Sequence, residues 1–147
     1  MKGLFPREYS SVQYEINLVN QTCNNDCVAA CISMALGIPI EEIKDGAKMI
    51  GLGFPMTPFD ATKLLCYFGV LGVRQQSDTL YSGNLYKIGV PSKNTQGGLH
   101  SILIDLRNGR NYVFDPQQGV EGKKFYGVIP KQYFSPIQII DLKYGDE

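Results

Sequence analysis

The residue types best suited to covalent chemistry are a cluster of three cysteines and the single histidine of the chain. Cys23, Cys27 and Cys31 lie four residues apart, and His100 lies far downstream. Residues 24–26 are three candidate N-caps, so Cys27 is expected in the first turn of a helix, where unpaired N–H groups and the helix dipole favour a thiolate. A thiolate paired with an imidazole can attack a carbonyl carbon. Cys27 is therefore the candidate nucleophile and His100 the candidate base.

The sequence also predicts a carboxylate beside this histidine. Residues 108–109 are Asn-Gly between two strand-like segments, which is the strongest short hairpin pattern. A two-residue turn there puts Ile102 opposite Asp115, so His100 becomes a diagonal neighbour of Asp115 on the same face. Diagonal Cβ separations are about 7 Å, which one hydrogen bond between an imidazole and a carboxylate can bridge. The alternative is a surface His–Asp pair that contributes little energy.

An acyl-transfer site also needs hydrogen-bond donors for the negative charge that develops on the carbonyl oxygen. The backbone N–H of a cysteine at a helix N-terminus is one such donor. Gln21, six residues before Cys27, could supply a second from its side-chain amide. Taken alone, Gln21 would be interpreted as an exposed loop residue.

Helices are predicted for the first half of the chain. Apolar spacing and the stop at Gly37 predict one helix over residues 27–36. A second should run from residue 39 or 40 to about residue 50, and a third from Thr57, as N-cap before a proline, to Phe68. The first 20 residues look extended or loop-like.

Strands are predicted for the second half. Residues 85–90, 99–106 and 111–114 have strand composition, and residues 137–142 could form a final strand. Helices followed by antiparallel strands indicate an α+β fold, with the nucleophile at a helix N-terminus that packs on a C-terminal sheet.

Composition supports an ordinary globular domain without a polyanionic partner. The 147 residues fit a single domain over 1–147. Fourteen Lys and Arg balance fourteen Asp and Glu without a basic block, so we expect neither nucleic-acid nor membrane partners. No signal peptide or membrane span is predicted, so a cytoplasmic location is expected, with export by a dedicated system left open. No cofactor is predicted, and the sequence indicates no oligomeric state.

Two of the three remaining cysteines are expected to be structural. Their uneven spacing does not resemble a disulfide framework. Cys31 and Cys66 lie in apolar helical segments and are predicted to be small core residues, while Cys23 receives no role. An alternative is a zinc site formed by the three clustered cysteines with His100, although structural zinc usually binds more closely spaced cysteine pairs.

Several segments resemble the peptidase family that removes double-glycine leaders from bacteriocins. That family has Gln, five residues of which the fifth is Asp or Asn, and then Cys on a helix, as in residues 21–31. Residues 99–104 resemble its histidine strand, and Asp115-Pro116 followed by Gly119 resembles its Asp-Pro-x-x-Gly element. Residues 129–134 resemble the following segment. The likeness covers about residues 15–142.

This resemblance implies a papain-like cysteine peptidase of bacterial or phage origin that acts on a peptide or protein substrate. It implies that Cys27 is the nucleophile, His100 the acid and base, Asp115 the residue that orients His100, and Gln21 the oxyanion donor. Val28 departs from the pattern, because many relatives have glycine or another small residue there. No transporter segment is attached, so export-coupled leader processing is not implied.

Two other functions fit the same residues. A Cys–His–Asp site can form a thioester with a glutamine side chain, which leads to deamidation or crosslinking, and fold does not select among these reactions. A binding module with an idle thiol is the other alternative.

Overall fold

Three α-helices occupy the first half of the chain in the computed structural model, which describes residues 11–141. Helix α1 spans Cys27–Leu36, α2 spans Ile40–Met49 and α3 spans Pro58–Tyr67. All three predicted helices are confirmed, with ends within one residue of the expected ones. Residues 11–20 form no helix or strand, as predicted, and residues 1–10 lie outside the described part of the chain.

The start of α1 differs from the expected capping arrangement. Asp26 occupies the N-cap position, but its side chain makes no capping hydrogen bond. The buried carboxylate accepts hydrogen bonds from the backbone N–H groups of Thr22 and Cys23, and it pairs with Lys44 at 2.7 Å. Because the preceding turn holds this carboxylate, the Asp26 side chain does not cap α1.

Two glycines shape the helical half. Gly37 ends α1 in the left-handed conformation, at a φ of 67°, and donates its N–H to the Ser33 carbonyl. Glycine adopts this conformation without a steric penalty. Gly46 lies inside α2, where a Cβ would be 2.6 Å from the ring of Phe68. The glycine that weakens α2 as an isolated helix therefore lets α2 approach the end of α3 closely.

Helix α3 confirms its predicted cap and corrects one predicted core residue. The Thr57 side chain accepts from the Asp60 N–H at 3.0 Å, and the Asp60 carboxylate accepts from the Thr57 N–H, which forms a capping box. The prediction that Cys66 is a core residue is wrong, since Cys66 is exposed. The helix buries the opposite face, which carries Ala61, Leu64 and Leu65. Apolar neighbours in sequence did not reveal which side of α3 faces the core.

A five-stranded antiparallel sheet forms the second half. Its strands are β1 Val70–Arg74, β2 Leu85–Pro91, β3 Leu99–Asp105, β4 Tyr112–Phe114 and β5 Phe134–Asp141. They are arranged in the order β1-β5-β2-β3-β4. The predicted α+β class is confirmed. Strand β1 was not predicted, β5 begins three residues before its predicted start, and Leu142 lies outside the described residues.

The predicted hairpin between β3 and β4 is present in the expected register. Ile104 pairs with Val113. In this register Asp115, two residues after Val113, comes beside the part of β3 that precedes Ile104. Asn108 and Gly109 both have positive φ, at 53° and 73°, and the Arg110 N–H donates to the Arg107 carbonyl. These are features of a type I′ turn, whose twist matches that of paired strands.

Both faces of the sheet are covered. One face packs against the helices through Leu85, Leu103 and Ile137. Tyr86, Ile88 and Ile102 are buried on the other face, beneath loop residues that include Tyr126 and Ile129. Among the residues that the structure describes, none of the helices is both long enough and apolar enough to cross a membrane.

Shortening a buried side chain of β3, the strand that faces α1, should destabilise the fold. Leu103 is 0% exposed and Leu99, on the same strand, is 73% exposed. We expect Leu103→Ala to lower the free energy of unfolding by about 2–5 kcal/mol through lost burial and a cavity. The matched Leu99→Ala should change it by less than about 0.5 kcal/mol. Urea denaturation followed by circular dichroism measures both, and equal effects would contradict this description of the core.

Candidate active site

His100 and Asp115 form a buried hydrogen-bonded pair. His100 lies in β3 and is 8% exposed, while Asp115 directly follows β4 and is fully buried. The His100 Nε2 atom is 2.6 Å from Asp115 Oδ1. The hairpin between β3 and β4 therefore brings together two predicted residues that are 15 positions apart in sequence.

Backbone donors fix the Asp115 carboxylate behind the ring. Oδ1 accepts from the Gln117 N–H at 2.8 Å, and Oδ2 accepts from the Tyr126 N–H at 2.7 Å. The Tyr126 hydroxyl in turn donates to the Pro91 carbonyl at the end of β2. Because Nε2 of His100 is occupied by Asp115, Nδ1 is the ring nitrogen left for another partner.

The thiol of Cys27 is that partner. Cys27 is half-buried at the first residue of α1 and is hydrogen-bonded to the His100 side chain. Burial raises the pKa of the thiol, but the hydrogen bond and the charge of His100 outweigh it. The backbone and side chain of Ser101 lower the pKa further, so it lies below the ordinary value of 9.0. Sequence analysis did not single out Ser101.

The same contacts favour the imidazolium form of His100. Burial lowers the pKa of the ring, but hydrogen bonds with Asp115 and Cys27, together with their charges, raise it to about 9. A thiol pKa below its usual value beside an imidazole pKa of about 9 favours a thiolate–imidazolium pair near neutral pH. In such a pair the thiolate is the nucleophile, and the imidazolium hydrogen-bonded to it is a proton donor.

The pair opens onto a cleft between the helices and the sheet, called the thiol cleft below. It has a volume of about 460 Å³. Residues from α1 and from the loop before α3 line one side, and residues of β2, β3 and β5 line the other. The lining residues are Asn25, Cys27, Val28, Pro55, Met56, Thr57, Pro58, Lys87, Gly89, Leu99, His100, Ser101, Phe134 and Ser135.

Gln21 lies near this site but does not line the thiol cleft. Its Nε2 donates to the Cys23 carbonyl at 2.7 Å, and its backbone N–H donates to the carbonyl of Pro116, the residue after Asp115. Its Oε1 is buried without a hydrogen-bond partner. The segment that carries Gln21 is thus attached to the loop that carries Asp115, and the role of its amide as an oxyanion donor stays a prediction.

The other clustered cysteines have different surroundings. Cys31 is buried, as predicted, and burial raises its pKa well above the ordinary value. Cys23 is exposed, with its sulfur 3.0 Å from the Asn25 side-chain oxygen. In the described part of the chain, no three His, Cys, Asp or Glu side chains are positioned to share a metal ion. The geometry therefore does not favour the alternative zinc site.

Sequence analysis also missed Lys87, a lysine buried in β2 at the wall of the thiol cleft. The indication was present in the sequence, since Lys87 interrupts the otherwise apolar strand 85–90. Lysine is almost never fully buried in proteins unless its ammonium group is paired.

The ionic pair predicts how alkylation of Cys27 depends on pH. Only the thiolate reacts, so alkylation by iodoacetamide should accelerate as pH rises through the Cys27 pKa, with a midpoint below 9.0. In His100→Ala the hydrogen bond and charge that lower this pKa are lost, so the midpoint should move to higher pH. Mass spectrometry of the alkylated peptides measures the rates, and the exposed thiol of Cys66 in the same samples is the control. A midpoint that His100→Ala does not change would contradict the pairing.

Comparisons of the chain with known protein families, with curated proteins and with solved structures found no match. Functional assignment therefore depends on the residues of the thiol cleft and their geometry.

Proposed function

We propose that this protein is a papain-like cysteine peptidase that hydrolyses a peptide amide bond through a thioester acyl-enzyme. The observation that carries the proposal is the hydrogen-bonded series Cys27, His100 and Asp115 at the wall of an open cleft. Nucleophile, base and orienting group are three roles that recur in unrelated hydrolases, and they are recognised by geometry.

The proposed reaction has two steps. The Cys27 thiolate attacks the amide carbonyl carbon, and the His100 imidazolium gives its proton to the departing amine nitrogen as the C–N bond breaks. The neutral imidazole then takes a proton from a water molecule, whose oxygen attacks the thioester and releases the carboxylic acid and the Cys27 thiolate, so the thiolate–imidazolium pair is restored. Asp115 keeps the ring oriented through Nε2 at both steps.

The uncapped start of α1 supports stabilisation of the oxyanion. Cys27 is the first residue of α1, and the first N–H groups of a helix have no acceptor within the helix, so the Cys27 N–H can face a substrate oxygen. The positive end of the helix dipole acts in the same direction. Gln21 would supply the second donor after its amide leaves the Cys23 carbonyl.

Chain order adds support for the resemblance to bacteriocin-leader peptidases. The nucleophile begins α1, the histidine follows in β3, and the aspartate comes directly after β4, the neighbouring antiparallel strand. That arrangement agrees with a papain-like fold. Val28 lines the thiol cleft, so its side chain narrows the approach to Cys27 relative to a glycine.

Substitution of each member of the series should lower turnover in a definite order. We expect Cys27→Ala and His100→Ala each to reduce kcat by about 10⁴-fold or more, because each removes the nucleophilic pair. Asp115→Asn should cost less, because it keeps the thiol and the imidazole and changes only the orientation and the charge behind the ring. Peptide fragments identified by mass spectrometry, from a substrate selected in a peptide library, provide the assay.

Cys66→Ala is the matched control, since it removes an exposed thiol away from the thiol cleft and should leave kcat unchanged. Turnover by Cys27→Ala equal to that of the unsubstituted protein would refute the proposal. A mass gain of about one dalton in an uncleaved protein substrate would instead indicate glutamine deamidation by the same thiol.

Gln21→Ala tests the oxyanion donor separately. Loss of one such donor typically lowers kcat by about 10²–10³-fold and changes KM little, because the bond strengthens only as charge develops. Steady-state kinetics separate the two parameters. Asn20→Ala is a neighbouring control for movement of the loop that carries Asp115, because the Asn20 side chain donates to the backbone of that loop and not to the oxyanion. A kcat unaffected by Gln21→Ala would remove Gln21 from the mechanism.

A further inference from the structure

Lys87 is a buried cation in the wall of the thiol cleft. It lies in β2, paired with Leu103 of β3 on one side and with Ile137 of β5 on the other. Both neighbours belong to the face of the sheet that packs against the helices. Lys87 is only 4% exposed, and it lines the same cleft as Cys27 and His100.

The ammonium group has no counter-ion among residues 11–141, the part of the chain that the structure describes. No hydrogen bond or ion pair joins Lys87 to another described residue, and the titratable groups that act on it are the thiols of Cys31 and Cys27. Burial raises the pKa of Cys31 and keeps its thiol neutral, while Cys27 is already paired with His100. Burial without a partner also lowers the pKa of Lys87. A buried ammonium with three donors and no acceptor is costly for the folded protein.

The carboxylates of the surrounding structure are engaged elsewhere. Asp115 accepts from His100 and from two backbone N–H groups, and Asp105 pairs with Arg107 and Arg110. No aspartate or glutamate is among the residues that line the thiol cleft. The cleft therefore has a cation on one wall without a matching anion.

The other lining residues would strengthen a charge pair at this position. Six of them are apolar: Val28, Pro55, Met56, Pro58, Leu99 and Phe134. Apolar walls exclude water, and the attraction between an ammonium and a carboxylate increases as the local dielectric constant falls. Phe134 lies against Gly89, where the absence of a Cβ gives its ring room at the cleft wall.

We propose that Lys87 selects substrates by binding a carboxylate next to the scissile bond. The carboxylate can belong to an Asp or Glu side chain or to the C-terminus of a peptide, since both present the same pair of oxygens to the ammonium. This inference depends on the proposed peptidase function and adds a substrate class to it: acidic peptides, or peptides cleaved near their C-terminal end.

Matched electrophilic peptides test this selectivity. Each probe carries a vinyl sulfone in place of the scissile amide, and the probes form pairs that differ only in Glu or Gln at one position. One further pair differs only in a free or an amidated C-terminus. Rates of Cys27 modification are followed by mass spectrometry, and the ratio within a pair cancels differences in thiol reactivity between protein variants.

At one position, or at the C-terminus, the acidic probe should react about tenfold to a hundredfold faster than its neutral partner, as expected for a hydrogen bond to a charged group. The position of that pair separates a side-chain carboxylate from a terminal one. Lys87→Met should reduce the ratio to about one, and Lys87→Arg should keep a preference for the acid. Lys48→Met, at an exposed residue of α2, should retain the full ratio. Equal rates for every pair with the unsubstituted protein, or an unchanged ratio in Lys87→Met, would overturn the inference.

Binding to Cys27→Ala separates this inference from the peptidase proposal. The same peptides with an ordinary amide in place of the vinyl sulfone are titrated into this variant by calorimetry, so no chemical step is needed. Tighter binding of the acidic peptide, lost when Lys87→Met is added, supports carboxylate recognition even if no peptide is ever cleaved. Equal binding of acidic and neutral peptides would contradict it even if cleavage occurs. Circular dichroism of each variant verifies that it is folded.

Discussion

The buried hydrogen bond between His100 and Asp115 depends on strand register more than on any other feature. Its 2.6 Å length requires the hairpin to direct a carboxylate and a ring toward the same place. A slip of one residue would send Asp115 to the opposite face of the sheet. Without this bond the buried Nε2 of His100 would lose its partner, and the Asp115 carboxylate would keep only its two backbone donors, so the register and the pair support each other.

The thiol reaches this pair from a separate part of the fold. Cys27 begins α1, and Asp26 fixes the preceding turn by binding its backbone N–H groups and Lys44. Since α1 packs on β3, the helix start is held against the strand that carries His100. The pKa of Cys27 falls because the start of α1 meets β3, the strand that carries both His100 and Ser101, the groups that lower it.

Much of the fold could be predicted from local patterns. The helix starting at Cys27, the capping box at Thr57 and the turn at residues 108–109 follow from residue types with strong backbone preferences, and each is found in the structure. Strand β1 was missed because it has only five residues, includes Gly72, and becomes a strand by pairing with β5 near the other end of the described chain. Cys66 was misplaced because apolar composition alone does not define which helix face is buried.

The sequence by itself determined the chemical groups, their order and the hairpin register that aligns His100 with Asp115, because caps, turns and strand alternation act over a few residues. Only the tertiary structure decided which groups surround the thiol. Ser101 contributes to the Cys27 pKa, and Gln21 turns its amide toward the Cys23 carbonyl. Lys87 interrupts an apolar strand in the sequence, but only the fold shows that its ammonium is buried without a partner among the described residues, since desolvation and missing counter-ions arise from contacts between distant segments.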